Sequence, residues 1–159
     1  MPGFNGTDRT AMMLPSYIDS ITFSNNFGQN QWTSGTSDLR ALNDPSSGSN
    51  PRNIGSIYSF GWAVLCGSCF PTMNVDITTK AVTGTYKIAL YLVDWDSGGR
   101  SESIDVFDLS TLKRLARTEA IKSFVGGVYV VYTVDRSVRI RIDHLRGTNI
   151  VVSGAFFDR

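Results

Sequence analysis

The sequence predicts an all-β protein, an antiparallel β-sandwich of two sheets. Short runs of alternating apolar and polar residues recur along the chain, separated by Gly, Asn, Asp and Ser, as strands and turns require. Gly 15, Phe 9 and Tyr 6, with few long helix-forming runs, are typical of secreted all-β domains. A chain of 159 residues fits one domain and should bury roughly 70% of its unfolded surface, enough for a core without metal or disulfide support.

Charge and hydropathy exclude several classes of partner. Lys and Arg number 15 against 14 Asp and Glu, a net charge of +1, so no summed field would attract nucleic acid or an anionic membrane surface. No window approaches the roughly 18 apolar residues of a membrane span. The N-terminus has no basic segment followed by an apolar stretch, so we expect no signal peptide in it. We expect an extracellular or cell-surface domain whose leader was removed, or one cut from a larger extracellular protein.

The first half of the chain predicts strands on either side of one long loop. Residues 17–23 alternate in strand fashion, and a polar stretch at 24–52, with Trp32 as its one large anchor, predicts the longest loop. Further strands are predicted at 54–60, 62–66 and 73–77.

The most informative segment is 85–108. Tyr86, Ile88, Leu90 and Leu92 form one apolar face, and the other face is only partly apolar, which predicts a central strand. The turn that follows, 94–100, brings two carboxylates, an indole and a guanidinium into one short segment.

The segment 110–121 is open to two readings. Leucines and alanines near helical spacing favour a helix, with Ser110 available as its N-cap. The turn residues at 108–111 instead predict a hairpin and a returning strand, which needs no long connection. We prefer the strand.

The last third predicts strands at 127–134, 137–143 and 149–157. In the second of these, Val138, Ile140 and Ile142 should face the core and the intervening charges should face solvent. Asp135 and Arg136 have the length of a tight hairpin between the first two strands. The final strand is apolar on both sides and should lie in the middle of a sheet.

The residues at 38–42, 86–96 with Arg100, 124–129 and 149–157 resemble the landmarks of an accessory β-sandwich module. Such carbohydrate-binding modules occur in secreted glycoside hydrolases and surface proteins. The resemblance covers about three quarters of the chain, and it implies a jelly-roll, galactose-binding-like sandwich. The chain departs from the pattern near its start, where a Gly, Trp and Tyr rich segment of the family is missing.

The candidate ligand site is the turn together with nearby loop aromatics. Sugar rings pack their C–H faces on aromatic rings, while carboxylates and guanidinium groups bond hydroxyls. The alternative is structural: Trp95 would cover the core and Arg100 would pair with an Asp of its own turn. Trp62 is a better candidate for the core. The predicted ligand-binding residues are Trp95, Asp94, Asp96, Arg100, Trp32 and Tyr129.

Two motifs suggest metal or redox chemistry. Asp94 and Asp96 precede two glycines, an order that resembles a calcium loop, although the EF-hand pattern fails at Gly98. A structural calcium ion is the one cofactor we consider. Cys66 and Cys69 lack the helix context of a redox pair, and with a single His144 a zinc site is disfavoured. We expect Cys66 and Cys69 either to form a local disulfide or to remain free thiols.

Catalysis has little support, because the sequence contains neither a nucleophile elbow nor a phosphate loop and offers only scattered carboxylates. We therefore expect a non-catalytic extracellular module that binds a glycan or polysaccharide. The alternative is a structural or adhesive subunit of an extracellular assembly, in which the partners are other copies of the chain.

Overall fold

The computed structural model describes residues 3–5, 8–24, 27–43, 52–59, 72–80 and 84–159. A short 3-10 helix, Phe124–Gly126, joins the tenth strand to the eleventh. The strands are β1 (Gly3–Asn5), β2 (Asp8–Met13), β3 (Ile18–Ser24), β4 (Phe27–Thr36), β5 (Leu42–Asn43), β6 (Arg52–Ser59), β7 (Thr72–Thr79), β8 (Tyr86–Leu92), β9 (Ser101–Asp108), β10 (Arg114–Lys122), β11 (Val128–Val134), β12 (Val138–Arg146), β13 (Ile150–Val152) and β14 (Gly154–Asp158).

The strands form three sheets. The first sheet has the order β11-β8-β14-β1-β2, the second β10-β9-β12-β7-β3, and the third β13-β6-β4, with β5 paired to β6. The pairs that join these strands are antiparallel. The all-β fold class predicted from the sequence is confirmed, and the structure adds a third sheet to the two that were predicted.

The main core lies between the first and second sheets. Alternate residues of β8, such as Ile88 and Leu90, meet alternate residues of β12, such as Ile140 and Ile142, and all four are fully buried. Two sheets that pack through their apolar faces in this way make a β-sandwich. The predicted alternation in β12 is confirmed, because Arg139 and Arg141 lie on its other face.

A second, smaller core lies on the opposite face of β8. Tyr91 and Val93 pack there with Ala41 and Ile54, which come from the region of the third sheet. The end of β8 is therefore covered on both faces. This explains why the second face of β8 is polar at Lys87 yet apolar further along.

The segment that was open to two readings is a strand, as preferred. β10 pairs antiparallel with β9, and the connection between them is the predicted hairpin. The Asp108 carboxylate accepts hydrogen bonds from the backbone N–H groups of Ser110 and Thr111 and from the Ser110 hydroxyl. The apolar residues near helical spacing in 110–121 do not form a helix, because the Asp108 side chain stabilises a turn before them by these hydrogen bonds.

Two predicted connections are wrong. The stretch 24–52 is not one long loop, because β4 and β5 both lie within it and pair with β6. Its sequence is polar, so alternation could not reveal a strand that is held by backbone pairing. Asp135 and Arg136 do not close a hairpin either: β11 belongs to the first sheet and β12 to the second. A short connection requires only that the strand ends be close.

The predicted final strand is divided at Ser153. β13 pairs with β6 in the third sheet, whereas β14 lies between β8 and β1 in the first. The central position is therefore correct for β14 and wrong for β13, which among the described strands lies at the edge of the third sheet. The Ser153 N–H donates to the Tyr91 carbonyl over 2.8 Å, and this bond holds the point of division against β8.

The predicted strand 62–66, with Trp62, and both cysteines, Cys66 and Cys69, fall outside the described residues. In the part of the chain that the structure describes, we find no helix with the length and apolar character that crossing a membrane demands.

Candidate functional site

The turn 94–100 carries the chain from β8 in the first sheet to β9 in the second. The Asp94 carboxylate organises it by accepting hydrogen bonds from the backbone N–H groups of Gly98 and Arg100, over 2.9 and 3.1 Å. Ser97 adopts a left-handed conformation with φ 55°, a backbone geometry that costs energy for a residue with a side chain. The turn is thus held by its own side chains.

Arg100 lies at the centre of a buried ionic cluster. Its Nη1 donates to carboxylate oxygens of both Asp94 and Asp96, and its Nε donates to Asn149 Oδ1 over 2.8 Å. Arg100 and Asp94 are 4% and 2% exposed, so neither is available to a ligand without rearrangement. The Arg100 hydrogen bond lowers the pKa of Asp96, whose side chain is half exposed. Asp96 is the carboxylate of this cluster that a ligand can reach.

The two described tryptophans are both partly buried. Trp95 and Trp32 pack against the second core, and Trp32 also reaches the main core. The Arg40 guanidinium lies 4.2 Å from the Trp95 ring centroid, and the Arg100 guanidinium lies 5.9 Å from that of Trp32. Each indole therefore packs against a core on one side, and Arg40 stacks on the Trp95 ring.

Tyr129 presents the most accessible aromatic ring of the predicted site. It lies on β11 and is 55% exposed, as is Val131 two residues further along the same face. Its ring stacks on the buried Tyr91, with centroids 4.7 Å apart, and Phe156 lies 6.0 Å away. Desolvation raises the pKa of Tyr91 to about 12, so its hydroxyl stays protonated at neutral pH and donates to the Arg40 carbonyl over 2.8 Å.

The polar neighbours of this aromatic surface are Asp38 and Arg40. The Arg40 guanidinium binds both carboxylate oxygens of Asp38, through Nε at 3.2 Å and Nη2 at 2.8 Å. Its Nη1 donates to the Val125 carbonyl over 3.0 Å. Both side chains are about one third exposed. Their chain of contacts to Tyr91 and Trp95 joins Tyr129 to the turn.

The acidic turn holds its own cation. The Arg100 guanidinium occupies the space between the carboxylates of Asp94 and Asp96, where a calcium ion would have to bind. Within the described residues, no group of three or more His, Cys, Asp or Glu side chains is arranged to hold a metal. Both carboxylates of the turn are thus already paired with a guanidinium, whereas a calcium ion needs about six or more oxygen ligands.

A groove of about 660 Å³ lies beside the turn. It runs between the ends of β10 and β12, and the start of β9 lies between them. Lys122 and Arg146 are at its sides, and Leu145 and Val125 supply exposed apolar surface. The complete set of lining residues is Asp94, Ser97, Gly99, Arg100, Ser101, Ala120, Lys122, Ser123, Val125, Leu145 and Arg146.

The chain resembles solved carbohydrate-binding modules, the class that the sequence landmarks resemble. A family 61 module in complex with β-1,4-galactotriose has a TM-score of 0.43 and 7% identity, covering 90% of this chain and 87% of its own. A family 35 module from an environmental isolate has a TM-score of 0.42 and 8% identity, covering 90% of this chain and 91% of its own. The family 35 module of Paenibacillus barcinonensis has a TM-score of 0.40 and 11% identity, covering 89% of this chain and 99% of its own.

All three TM-scores lie below 0.5, a level at which a likeness implies neither a ligand nor a family. A scan against protein-family profiles and a search of curated protein sequences give no match.

Sequence reasoning located most of the polar residues around the turn but missed four. Arg100 contacts Asp94, Asp96 and Trp32 directly. Trp95 lies between the two acids in the sequence and contacts Arg40, through which Tyr91 and Tyr129 are also joined to the turn. The missed residues are Asp38, Arg40, Lys122 and Arg146. The first two stand within a sequence landmark, so a signal was present. The other two come together only through strand pairing.

Proposed function

We propose that the protein is a non-catalytic glycan-binding module that works outside the cell or at a cell surface. The observation that carries the proposal is the exposed Tyr129 ring, fixed from below by the buried Tyr91. A ring held in this way loses little conformational freedom on binding. Val131 and Phe156 extend the surface around it.

A sugar suits this surface for two reasons. The C–H faces of a pyranose ring pack on an aromatic ring, while its hydroxyls need donors and acceptors at the edge. Asp38 and Arg40 offer both near Tyr91, and Trp95 and Asp96 extend the edge toward the turn. We assign Trp32, Asp94 and Arg100 to holding the turn beneath these groups.

The carboxylates of the turn do not suit glycosidic cleavage. A glycosidase needs two carboxyl groups on opposite sides of the scissile bond, one of them free to transfer a proton. Asp94 and Asp96 instead bind the same guanidinium. We therefore propose no catalytic residue.

A glycan array followed by calorimetry tests the proposal. We expect the wild-type chain to bind at least one glycan class. In Tyr129→Ala we expect affinity for that glycan to fall about 10-fold, the equivalent of about 1.4 kcal/mol. Tyr129→Phe should bind nearly as well if the ring face makes the main contact. The array is read with calcium and with chelator, and we expect both readings to agree because the Arg100 guanidinium already occupies the space between the two carboxylates of the turn.

Leu115→Ala is the matched control, because Leu115 is also an exposed apolar residue but lies on the second sheet. Its affinity should equal that of the wild type. If no glycan binds to the wild type, the proposal is wrong. If binding is unchanged in Tyr129→Ala, glycan binding stands and the Tyr129 surface is not the site.

A further inference from the structure

The groove beside the turn has an excess of positive charge. Of its charged lining residues, Arg100 is balanced by Asp94, and the other two, Lys122 and Arg146, are both exposed cations. Neither of these two makes a salt bridge with any residue that the structure describes. By contrast, four other arginines of the second sheet pair with acids. They are Arg114, Arg117, Arg139 and Arg141.

Strand pairing brings the two cations to the same place. Ser101, the first residue of β9, is paired with Lys122 on one side and with Arg146 on the other. Lys122 lies directly opposite Ser101, and directly paired residues project from the same face of a sheet. The pairing with Arg146 follows a register shift after His144, and Arg146 lines the same groove as Ser101 and Lys122. Two strand spacings separate the outer pair by about 10 Å at the backbone, a distance that long side chains can close around one small anionic group.

The floor of the groove contains a hydroxyl with no partner. Ser101 is 5% exposed, and its buried Oγ makes no hydrogen bond in the described structure. A buried polar group without a partner is unfavourable, because it has lost its hydrogen bonds to water. Ser97 and Ser123, both in left-handed conformations, also line the groove. Hydroxyls and cations therefore converge there.

We propose that this groove binds an oxyanion, the carboxylate or sulfate group of an acidic saccharide, between Lys122 and Arg146. The assignment of the anion to a saccharide rests on the proposed glycan binding. Leu145 and Val125 supply the apolar surface against which the attached sugar ring packs. Since the cations are exposed, the attraction is screened by salt.

Two matched pairs of oligosaccharides test the proposal by calorimetry. They are an oligogalacturonate with its methyl ester, and a sulfated galactan oligomer with its unsulfated form. We expect at least one acidic member to bind 10-fold or more tightly than its neutral partner at low salt. The preference should disappear in Lys122→Gln/Arg146→Gln, while affinity for the neutral member is unchanged.

Lys80→Gln/Lys113→Gln is the charge-matched control, because both lysines are exposed and neither lines the groove. It should keep the preference. Equal affinity for acidic and neutral members in the wild type overturns the inference but leaves glycan binding intact, as does a preference that survives in Lys122→Gln/Arg146→Gln. Sodium sulfate is titrated separately; binding of free sulfate without any acidic oligosaccharide overturns the assignment to a saccharide.

Discussion

Glu102 is a carboxyl group buried in the interior with only one of its two oxygens hydrogen-bonded among the described residues. It lies on β9 and is fully buried. Its Oε1 accepts a hydrogen bond from the Val151 N–H over 2.7 Å, whereas its Oε2 has no partner among the described residues. Desolvation raises its pKa to about 8. The buried carboxyl group is thus protonated at neutral pH in the folded state.

We expect Glu102 to make stability fall as pH rises. Between its ordinary pKa of 4.5 and its folded value of about 8, the folded chain keeps a proton that the unfolded chain has released. The free energy of unfolding therefore decreases by about 1.4 kcal/mol per pH unit from this group. Glu102→Gln, which keeps the shape and cannot ionise, should lose this slope. Urea unfolding at pH 5, 6.5 and 8 measures it.

The comparison needs a second glutamate variant. Glu119→Gln removes an exposed carboxylate from β10, and its pH profile should run parallel to that of the wild type. Parallel profiles for wild type and Glu102→Gln would contradict the expected role of Glu102.

The turn shows what residue-level reading of the sequence can and cannot achieve. Both the ligand and the structural roles were predicted for Arg100 and its acids, because charge and spacing are visible in the sequence. The choice between them depends on burial. The buried Arg100 side chain donates a hydrogen bond to Asn149, which is 49 positions away, and no local pattern predicts so distant a partner.

At the scale of elements, the turn between β12 and β13 crosses directly over the turn 94–100. Gly147 lies at this crossing with φ 92°. A Cβ at this position would come within 2.6 Å of the Arg100 Cα and 2.8 Å of the Arg100 backbone nitrogen. Close backbone packing of this kind is available to glycine alone.

We expect Gly147→Ala to destabilise the fold by about 3 kcal/mol or more. The alanine must hold a strained φ, and the Arg100 backbone must also move to make room for its Cβ. Gly84→Ala isolates the strain. Gly84 has φ 93°, and no atom of the described residues lies within 4 Å of the added Cβ, so its cost should be about 1–2 kcal/mol. Chemical denaturation compares the two variants. Equal losses would show that the crossing tolerates a methyl group.

Strands were predicted correctly where buried and exposed side chains alternate along the sequence. They were missed where only backbone hydrogen bonds define the strand. β12 was predicted from its alternation, since one face is buried and the other is polar. β4 was missed because its residues other than Phe27 and Trp32 are polar or glycine, so its pairing with β6 leaves no pattern of alternation. The division at Ser153 was missed because both β13 and β14 are apolar, so nothing local separates them.

At the scale of the whole molecule, one edge of the second sheet bears on self-association. This edge is β10, whose exposed residues include Arg114, Arg117, Glu119 and Lys122. Charged side chains along an edge strand disfavour pairing with another copy. The opposite arrangement holds at β11, one of the two edges of the first sheet, where Tyr129 and Val131 are exposed.

We expect a monomer of 17.5 kDa in solution, with the Tyr129 surface free for ligand. Light scattering coupled to size exclusion at about 10 and 100 µM measures the mass. A dimer or larger assembly that dissociates in Tyr129→Ala would favour the structural or adhesive role over glycan binding.

The sequence by itself determined the all-β class, the position of most strands that line the main core, and the gathering of charged and aromatic groups in the turn. These properties are local, since alternation and turn chemistry are set by neighbouring residues. The tertiary structure decided which strands share a sheet, that Arg100 pairs with both acids of its own turn, and that Lys122 and Arg146 lie on either side of Ser101. The physical reason is that pairing and burial join residues far apart in the chain.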